Sequence, residues 1–345
     1  MERLRIAQVA PPWYPIPPKG YGGIELIVAL LADGLADAGQ DVTLFATGDS
    51  STRGKLSYVY PKALPEKIGM AHIEIPHVMA PYFRAREFDI IHDHTALGPM
   101  VANFIDTPVV MTLHGPFTDE NREYFASIGH RLKFIAISDY QRSCYPELNY
   151  AATIHHGVEL DRFPFEEKKQ DNLLFLGRIN YEKGPRQAVE VANRLGARLV
   201  MAVKMVEPPE HEYFEEEVKP LIGSNTEILG QIDFQTKTRL LKDARCVLFP
   251  IQWPEPFGLV MVEAMACGTP VIAFRNGSVP EVIADGVTGF IVDSVDEMVE
   301  AVRRADEIDP HACRRWVAER FTVDRVIQDH LRVYRELLDG GTASG

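Results

Sequence analysis

Short apolar runs alternate along this chain with longer segments in which apolar residues recur every three or four positions. The short runs predict strands and the longer segments predict helices. Several runs are continuously apolar, as expected for a parallel sheet covered by helices on both faces. The predicted strands are Leu4–Ala10, Val42–Ala46, Asp89–His92, Val109–Leu113, Lys133–Ile137 and Thr153–His156, followed by Leu173–Leu176, Leu199–Val203, Glu227–Leu229, Cys246–Pro250, Pro270–Ala273 and Gly289–Val292.

The alternation breaks at the polar stretch Phe165–Asn172 (FEEKKQDN), which predicts a domain boundary. Since 345 residues suffice for two ordinary cores, we expect a first domain over residues 1–163 and a second over residues 164–322. A helix is predicted from Gly23 to near Gly39. The last helical segment, residues 323–340, either closes the second domain or returns to the first.

Composition and charge narrow the class of protein. Hydrophobic residues make up 46% and charged residues 25% of the chain, as in ordinary globular proteins. The net charge of −13 argues against a nucleic-acid partner and leaves at most peripheral contact with a membrane. The first apolar stretch is too short for a signal peptide and the four cysteines are scattered, so we expect a cytoplasmic protein with reduced thiols.

The segment from Glu255 to Gly268 (EPFGLVMVEAMACG) has the most distinctive pattern in the chain. It follows a predicted strand, and open parallel sheets bind ligands at the carboxyl ends of their strands. Between Gly258 and Gly268 nearly every residue is apolar, which predicts a helix buried on all sides. Glu263 is the exception, and a buried carboxylate needs a partner because its desolvation is costly.

The first turn of this helix predicts an anion site. The amides of Gly258, Leu259 and Val260 have no acceptor within a helix, and the positive end of the helix dipole lies behind them. Glu255 and Glu263 could accept hydrogen bonds from hydroxyl groups on either side of a bound phosphate. A nucleotide sugar fits this pattern. In the alternative interpretation, Glu263 pairs with a core arginine and Glu255 is solvated.

A second pattern, Gly177–Gly184 (GRINYEKG), also follows a predicted strand, and its helix is predicted to begin near Lys183. Arg178 and Lys183 could neutralise a diphosphate leaving group, the arginine as a planar fork and the lysine as a point charge. The spacing is not that of a G-x-x-x-x-G-K-[ST] phosphate loop. Taken alone, the two cations are equally well interpreted as solvated surface side chains.

Two positions in the first half of the chain also follow predicted strands. In the loop Lys19–Glu25 (KGYGGIE), Gly22 and Gly23 would let the backbone approach a ligand, although the loop could be only a tight turn. His114 could bind sugar hydroxyls as a neutral imidazole, or be a core histidine with its hydrogen bonds satisfied. His92 and His94 are interpreted as structural.

The chain has no D-x-D pair, H-E-x-x-H or G-x-S-x-G motif. The carboxylate pair that would hold a metal–diphosphate complex is therefore missing. Positive side chains would neutralise the diphosphate in place of a metal ion, so we expect neither a metal ion nor a cofactor.

Together these motifs resemble retaining glycosyltransferase family 4. The segment Glu255–Glu263 is similar to the family's E-x7-E motif, GRINYEKG to its GR-x-x-x-EKG segment, and GYGGIE to its N-terminal glycine loop. The resemblance implies the GT-B fold, an α/β architecture of two Rossmann-like domains with parallel sheets facing across a cleft. It also implies an N-terminal acceptor domain, a C-terminal nucleotide-sugar donor domain, and a last helix that crosses back to the first domain. Residues 154–159 (IHHGVE) depart from the Asn-Gly-Val-Asp version of many relatives.

The resemblance also implies roles for individual residues. Glu255 would contact the sugar hydroxyls of the donor and Glu263 the ribose, while Arg178 and Lys183 hold the diphosphate and His114 lines the sugar pocket. The predicted catalytic residues are His114, Arg178, Lys183 and Glu255, and the predicted donor-binding residues are Gly22, Gly23, Arg178, Lys183, Glu255, Gly258, Leu259, Val260 and Glu263.

The predicted activity is transfer of a hexosyl group, with glucose as one candidate, from a UDP- or GDP-linked donor to a small-molecule or glycan acceptor. The alternatives are a non-hydrolysing nucleotide-sugar epimerase of the same fold and a non-catalytic nucleotide-sugar-binding protein. The acceptor is expected near Trp13, Tyr14, Tyr21 and residues 50–80. The sequence leaves its identity and the oligomeric state open.

Overall fold

A computed structural model describes residues 3–18, 22–128 and 131–341. The chain forms two compact units, the first built from residues 1–156 together with 323–345, and the second from residues 157–322. The strands of the first unit are β1 (Arg5–Val9), β2 (Asp41–Phe45), β3 (Lys55–Ser57), β4 (Ile90–Asp93), β5 (Val109–Thr112), β6 (Lys133–Ala136) and β7 (Tyr150–Thr153). Those of the second unit are β8 (Asn172–Arg178), β9 (Arg198–Lys204), β10 (Thr226–Leu229), β11 (Cys246–Phe249), β12 (Val271–Phe274) and β13 (Gly289–Val292).

The helices connect successive strands and cover the sheets. They are α1 (Gly23–Asp37), α2 (Ala71–Phe83), α3 (Asp119–Ile128), α4 (Asp139–Cys144), α5 (Pro185–Leu195), α6 (Pro208–Tyr213), α7 (Phe234–Asp243), α8 (Leu259–Ala266), α9 (Val279–Val282), α10 (Val295–Arg303), α11 (Pro310–Arg320) and α12 (Val323–Gly341). Among the described helices, none combines the length and apolar character needed to cross a membrane.

The sheet of the first unit has the order β3-β2-β1-β4-β5-β6-β7, and its neighbouring strands run parallel. Successive residues of a strand point to opposite faces. Accordingly, Ile6 and Ile90 belong to a core on one face, whereas Ala7 and Ile91 belong to a core on the other. Both faces are buried, which explains the continuously apolar runs in the sequence.

The last helix, α12, belongs to the first unit and packs against α1. The Cβ position of Gly34 in α1 lies 2.7 Å from the end of the Ile327 side chain, so a larger residue at position 34 would push the helices apart. Tyr334 of α12 is fully buried in the same core. The chain therefore returns to its first unit after completing the second.

The second unit contains a parallel sheet of order β10-β9-β8-β11-β12-β13. Strands β9 and β10 lie on one side of β8. The chain then returns, and β11, β12 and β13 extend the sheet on the other side of β8. The order of both sheets is that of doubly wound Rossmann-like folds. The predicted α/β architecture of two such units is confirmed.

Two details of the strand prediction are wrong. Strand β3 has no counterpart in the prediction, because three residues at a sheet edge are too few and too polar to give a periodic signal. Strand β7 covers Tyr150–Thr153, whereas the prediction started at Thr153. The residues of β7 are all only half-buried, so this edge strand lacks the continuous apolar run of the central strands.

The boundary between the units lies between His156 and Gly157, earlier than the predicted position after residue 163. The amide of Val158 donates to the carbonyl of Phe321, which attaches the connecting segment to the second unit. The polar stretch 165–172 is also part of that unit, since Lys169 donates to the carbonyls of Lys242 and Cys267. Hydrogen bonds to backbone carbonyls leave no apolar pattern in the sequence. A polar segment that packs in this way therefore has the sequence of a linker, although it belongs to the second unit.

Arg314 of α11 holds the connecting segment in place. Its guanidinium donates to the carbonyl oxygens of Leu160, Phe163 and Ala266. Replacing Arg314 by Leu leaves these carbonyls without their charged donor, and we expect the free energy of unfolding to fall by about 3 kcal/mol. Urea denaturation followed by tryptophan fluorescence measures this change.

The neighbouring Arg315 provides the matched control. Its side chain is 62% exposed and pairs with Asp309 on the surface, so Arg315→Leu should cost under about 1 kcal/mol. Equal losses in the two variants would contradict the role assigned to Arg314.

Candidate active site

The carboxyl ends of β8 and β11 lie side by side in the second sheet. The chain reverses the direction in which it adds strands between them, and such a reversal opens a crevice where doubly wound folds bind ligands. The segment Gly177–Gly184 leaves the end of β8, and the segment 250–258 leaves the end of β11. The two strongest sequence motifs therefore meet at one point of the fold.

Direct backbone contacts join the two segments. Gly184 has a left-handed backbone with φ of 70°, and its Cβ position would lie 2.0 Å from the carbonyl oxygen of Pro250. Only glycine permits both the conformation and the close approach. The amide of Gln252 also donates to the carbonyl of Glu182 at 2.7 Å. Helix α5 begins after Gly184, slightly later than predicted, and Lys183 ends a short 3₁₀ turn.

Lys183 and Glu255 form an ion pair where the two segments meet. The Lys183 Nζ lies 2.6 Å from Glu255 Oε2 and 4.7 Å from the centre of the Trp253 ring. The indole Nε1 of Trp253 donates to the same Oε2 at 2.9 Å. Two donors thus hold one carboxylate oxygen, and no hydrogen bond to Oε1 is found among the described residues. Glu255 is only 8% exposed, so the interpretation of a solvated Glu255 is wrong.

A third loop fixes the backbone around Glu255. The amide of Ser278 donates to the Glu255 carbonyl at 2.9 Å, and the Ser278 hydroxyl donates to the Phe257 carbonyl at 2.9 Å. Ser278 follows β12, the next strand of the sheet. The Glu255 side chain is therefore positioned by loops that leave three neighbouring strands, β8, β11 and β12.

Helix α8 begins at the end of this segment. Gly258 caps it with a left-handed backbone, φ 79° and ψ 61°, and Gly268 follows it with φ 77°, as predicted. The helix is buried from Met261 onward, whereas Gly258, Leu259 and Val260 are half-buried. First-turn amides have no acceptor within a helix. The accessible end of α8 therefore presents N–H groups beside Glu255, an arrangement suited to an anion.

Glu263 lies one turn into α8 and is 4% exposed. Its carboxylate is 2.6 Å from the Nζ of Lys237 on α7. The partner is thus a lysine, and the interpretation of Glu263 as bound to a core arginine is wrong. An ammonium has three N–H groups, so the pair with Glu263 does not use all the donors of Lys237.

Arg178, the last residue of β8, is held by two carboxylates. It pairs with Glu207 at 2.9 Å and with the buried Glu210. Burial acts to raise the pKa of Glu210, but backbone N–H groups of Val206 and Glu207 and the Arg178 guanidinium outweigh it, so the pKa is lowered. Glu210 is consequently ionised at neutral pH, and it neutralises part of the Arg178 charge.

The remaining candidates lie in the first unit. His114 follows β5 and is half-buried, with its Nε2 2.9 Å from His94 Nδ1. Burial, followed by repulsion from His330, lowers the pKa of His114 to about 3, so the imidazole is neutral. Gly22 caps α1, and the Cβ position of Gly23 has, apart from its chain neighbours and its own helix backbone, no atom of a described residue within 4 Å. The preceding residues Lys19–Tyr21 lie outside the described residues.

Sequence reasoning missed three residues that shape the site: Trp253, Lys237 and Ser278. Trp253 lies two residues before the Glu255–Gly268 motif, and its indole N–H could have been considered as a donor. Lys237 and Ser278 carry no comparable signal, because they reach Glu263 and Glu255 only through packing of separate elements.

Both halves of the chain match known protein families. Residues 21–162 match the family described as Glycosyltransferase Family 4, and residues 158–319 match Glycosyl transferases group 1. The phosphatidyl-myo-inositol mannosyltransferase of Mycolicibacterium smegmatis is 30% identical over 336 residues, covering 87% of this chain and 84% of that protein. These matches extend over both units.

Solved structures share the whole fold. AviGT4, a glycosyltransferase involved in avilamycin A biosynthesis, superposes with a TM-score of 0.74 at 27% identity and covers 98% of both chains. HepE from Anabaena, solved in complex with UDP and glucose, superposes with a TM-score of 0.76 at 19% identity, covering 96% of this chain and 99% of HepE. Fold and motifs define a glycosyltransferase of GT-B type. The chain belongs to glycosyltransferase family 4.

The pairing of Glu263 with Lys237 yields a stability prediction. In Lys237→Met the buried Glu263 loses its counter-charge, and we expect the free energy of unfolding to fall by about 3–5 kcal/mol. Adding Glu263→Gln should restore part of the loss, because the unpaired charge is then removed. Urea denaturation of the two variants measures both changes.

Lys242 on the same helix serves as the control. The side chain of its partner Asp243 is 26% exposed, whereas that of Glu263 is 5% exposed, so solvent screens the Lys242 pair and Lys242→Met should cost less than about 1 kcal/mol. A Lys237→Met variant no less stable than Lys242→Met would show that Glu263 does not depend on Lys237.

Proposed function

We propose that this protein transfers a hexosyl group from a nucleoside-diphosphate sugar to an acceptor hydroxyl, with retention of anomeric configuration and without a metal ion. The observation that carries the proposal is the Lys183–Glu255 pair, at 2.6 Å, beside the accessible first turn of α8. A cation, a carboxylate with one uncommitted oxygen and a row of N–H groups occur together. Such a set suits a diphosphate joined to a polyol.

The diphosphate binds at the first turn of α8 in this proposal. The amides of Gly258, Leu259 and Val260 donate to its oxygens, and the helix dipole favours its charge. Lys183 contributes the nearest positive charge. An ammonium has three N–H donors, so Lys183 can keep its bond to Glu255 while it also donates to a phosphate oxygen.

The two glutamates bind the sugars on either side. Glu255 Oε2 is held by Lys183 and Trp253, which leaves Oε1 to accept hydrogen bonds from hydroxyls of the transferred hexose. Glu263, paired with Lys237, accepts from the ribose hydroxyls of the nucleotide. For His114, in the first unit, we propose the sugar-binding role that the family resemblance implies.

Catalysis in this proposal rests on stabilising the departing phosphate. As the bond between the anomeric carbon and the phosphate oxygen breaks, negative charge develops on that oxygen, where Lys183, Arg178 and the α8 amides can meet it. The acceptor oxygen attacks on the same face, and its proton passes to the leaving phosphate. Positioned cations supply the charge that a metal ion would otherwise supply.

The relatives support a hexose donor but differ in the sugar that their names give. One relative is named a mannosyltransferase, and HepE was solved with UDP and glucose, so we propose a UDP- or GDP-linked hexose. The net charge of −13 favours a small-molecule or glycan acceptor over an anionic membrane lipid. The four cysteines are free thiols, consistent with a cytoplasmic enzyme.

A thermal-shift screen of nucleotide sugars in a chelating buffer, followed by acceptor profiling with the donor that binds, tests this function. We expect one UDP- or GDP-hexose to raise the Tm, and free nucleoside diphosphate to appear only when acceptor is added. An epimerase would instead interconvert the donor sugar without acceptor. A non-catalytic binding protein would show the Tm shift without turnover. Either of these results, or no Tm shift with any nucleotide sugar, would contradict the proposal.

The two glutamates should respond differently to substitution. Glu255→Gln is expected to lower kcat about 100- to 1000-fold, since its contact is with the reacting sugar. Glu263→Ala is expected to weaken binding of the nucleoside diphosphate as well as turnover. Calorimetric titration and steady-state kinetics separate the two effects.

Glu216→Gln, at an exposed position of the same unit, is the control and should leave both quantities unchanged. Wild-type turnover in Glu255→Gln and Glu263→Ala would mean that the site has been assigned to the wrong residues.

A further inference from the structure

Five imidazole rings form a continuous row through the first unit. In order they are His330, His92, His94, His114 and His156, with ring centres 5.4, 4.2, 5.2 and 5.3 Å apart. His330 lies on α12, and His92 on β4. Burial lowers the pKa of all five imidazoles, so each ring is neutral near neutral pH and carries its proton on one nitrogen only.

A hydrogen-bond chain runs through part of this row. His114 Nε2 lies 2.9 Å from His94 Nδ1, and His94 Nε2 lies 2.9 Å from Gln8 Oε1. The Gln8 Nε2 donates to the Tyr334 hydroxyl at 3.1 Å, and that hydroxyl lies 2.6 Å from His92 Nδ1. The chain therefore links a half-buried histidine after β5 to a tyrosine of the last helix.

The protonated nitrogen of His94 and then that of His114 follow from the Gln8 carboxamide oxygen, which can only accept a hydrogen bond. A carboxamide oxygen only accepts, so His94 Nε2 carries the proton that Gln8 Oε1 receives. A neutral imidazole has one N–H, hence His94 Nδ1 is an acceptor and His114 Nε2 must donate to it. The remaining nitrogen of His114, Nδ1, then carries a lone pair.

Neutrality of both rings supports this assignment. Burial lowers the pKa of His94 well below its usual value, with repulsion from His92 and the other histidines adding to the effect. The pKa of His114 is lowered to about 3, mainly by burial. Neither ring gains a second proton near neutral pH, so each donates through one nitrogen only.

We propose that Gln8, His94 and Tyr334 are positioning residues that fix His114 in its Nε2–H tautomer and so leave Nδ1 as a hydrogen-bond acceptor. No hydrogen bond to His114 Nδ1 is found among the described residues. An acceptor nitrogen suits a sugar hydroxyl, which can donate to it. The use of this nitrogen by a sugar rests on the proposed function, whereas the tautomer itself does not.

Tyr334 contacts the nitrogen side of the Gln8 carboxamide, whose oxygen faces His94. The tyrosine oxygen accepts one Gln8 N–H, which leaves its own O–H to donate to His92 Nδ1, 2.6 Å away. Turning the carboxamide over would require every proton along the chain to move. Without the tyrosine hydroxyl, the oxygen and nitrogen of Gln8 can exchange places, and His114 loses its single tautomer.

Nitrogen NMR of histidine-labelled protein tests the proposal without any ligand. The His114 signal, assigned by its loss in His114→Gln, should show a protonated Nε2 and an unprotonated Nδ1 between about pH 6 and pH 8. In Tyr334→Phe and in Gln8→Met the His114 nitrogens should shift towards each other, since the two tautomers then exchange. A protonated Nδ1 in the wild type, or unchanged His114 signals in both variants, would overturn the proposal.

Tyr82→Phe is the matched control. Tyr82 is also a buried tyrosine of the first unit, but its hydroxyl donates to Asp93 and is outside the chain described above. Its removal should leave the His114 tautomer unchanged, and a shift as large as that in Tyr334→Phe would overturn the proposal.

Kinetics separate this inference from the proposed function. With the donor identified, Tyr334→Phe and Gln8→Met should lower kcat/KM about 3- to 10-fold, and Tyr82→Phe should not. If the tautomer shifts as expected while kcat/KM stays at the wild-type value, the role of His114 in sugar binding is wrong and the positioning chain still stands.

Discussion

The side-by-side position of the carboxyl ends of β8 and β11 is the constraint on which the candidate site depends. Because the chain adds strands on one side of β8 before it returns to form β11, the loops leaving these two strands diverge to opposite faces of the sheet. The close approach of Gly184 to Pro250 keeps them together at their base. A lysine from one loop can then reach a glutamate 72 residues further along the chain.

The charges at this edge are arranged as pairs between separate elements. Lys183 meets Glu255, Lys237 meets Glu263, and Arg178 meets Glu210. Each buried carboxylate is thereby compensated, which limits the cost of removing it from water. The Lys183 ammonium has three N–H groups, so its bond to Glu255 leaves donors for an anionic ligand. A protein with a net charge of −13 can therefore offer a locally favourable place for a diphosphate.

The strands and the helix that carry the candidate site are predictable from the sequence, because buried elements appear there as runs of apolar residues. The central strands and the all-apolar helix α8 read as continuous hydrophobic runs, and Gly258 and Gly268 indicate its ends. The partner of Glu263 is not predictable in this way, since Lys237 lies on an ordinary amphipathic helix. The same holds for Tyr334, which reaches Gln8 across 326 residues of sequence. The predicted domain boundary lies too late in the chain because residues 165–172 are polar and pack through hydrogen bonds to backbone carbonyls. Such contacts leave no hydrophobic pattern in the sequence.

A crystal structure of the protein with bound UDP tests the central claim most directly. The account predicts that the diphosphate lies against the amides of Gly258, Leu259 and Val260, with Lys183 Nζ within hydrogen-bonding distance of a phosphate oxygen and Glu263 bound to the ribose. Electron density for UDP at another place, or none at the first turn of α8 at saturating UDP, would contradict it.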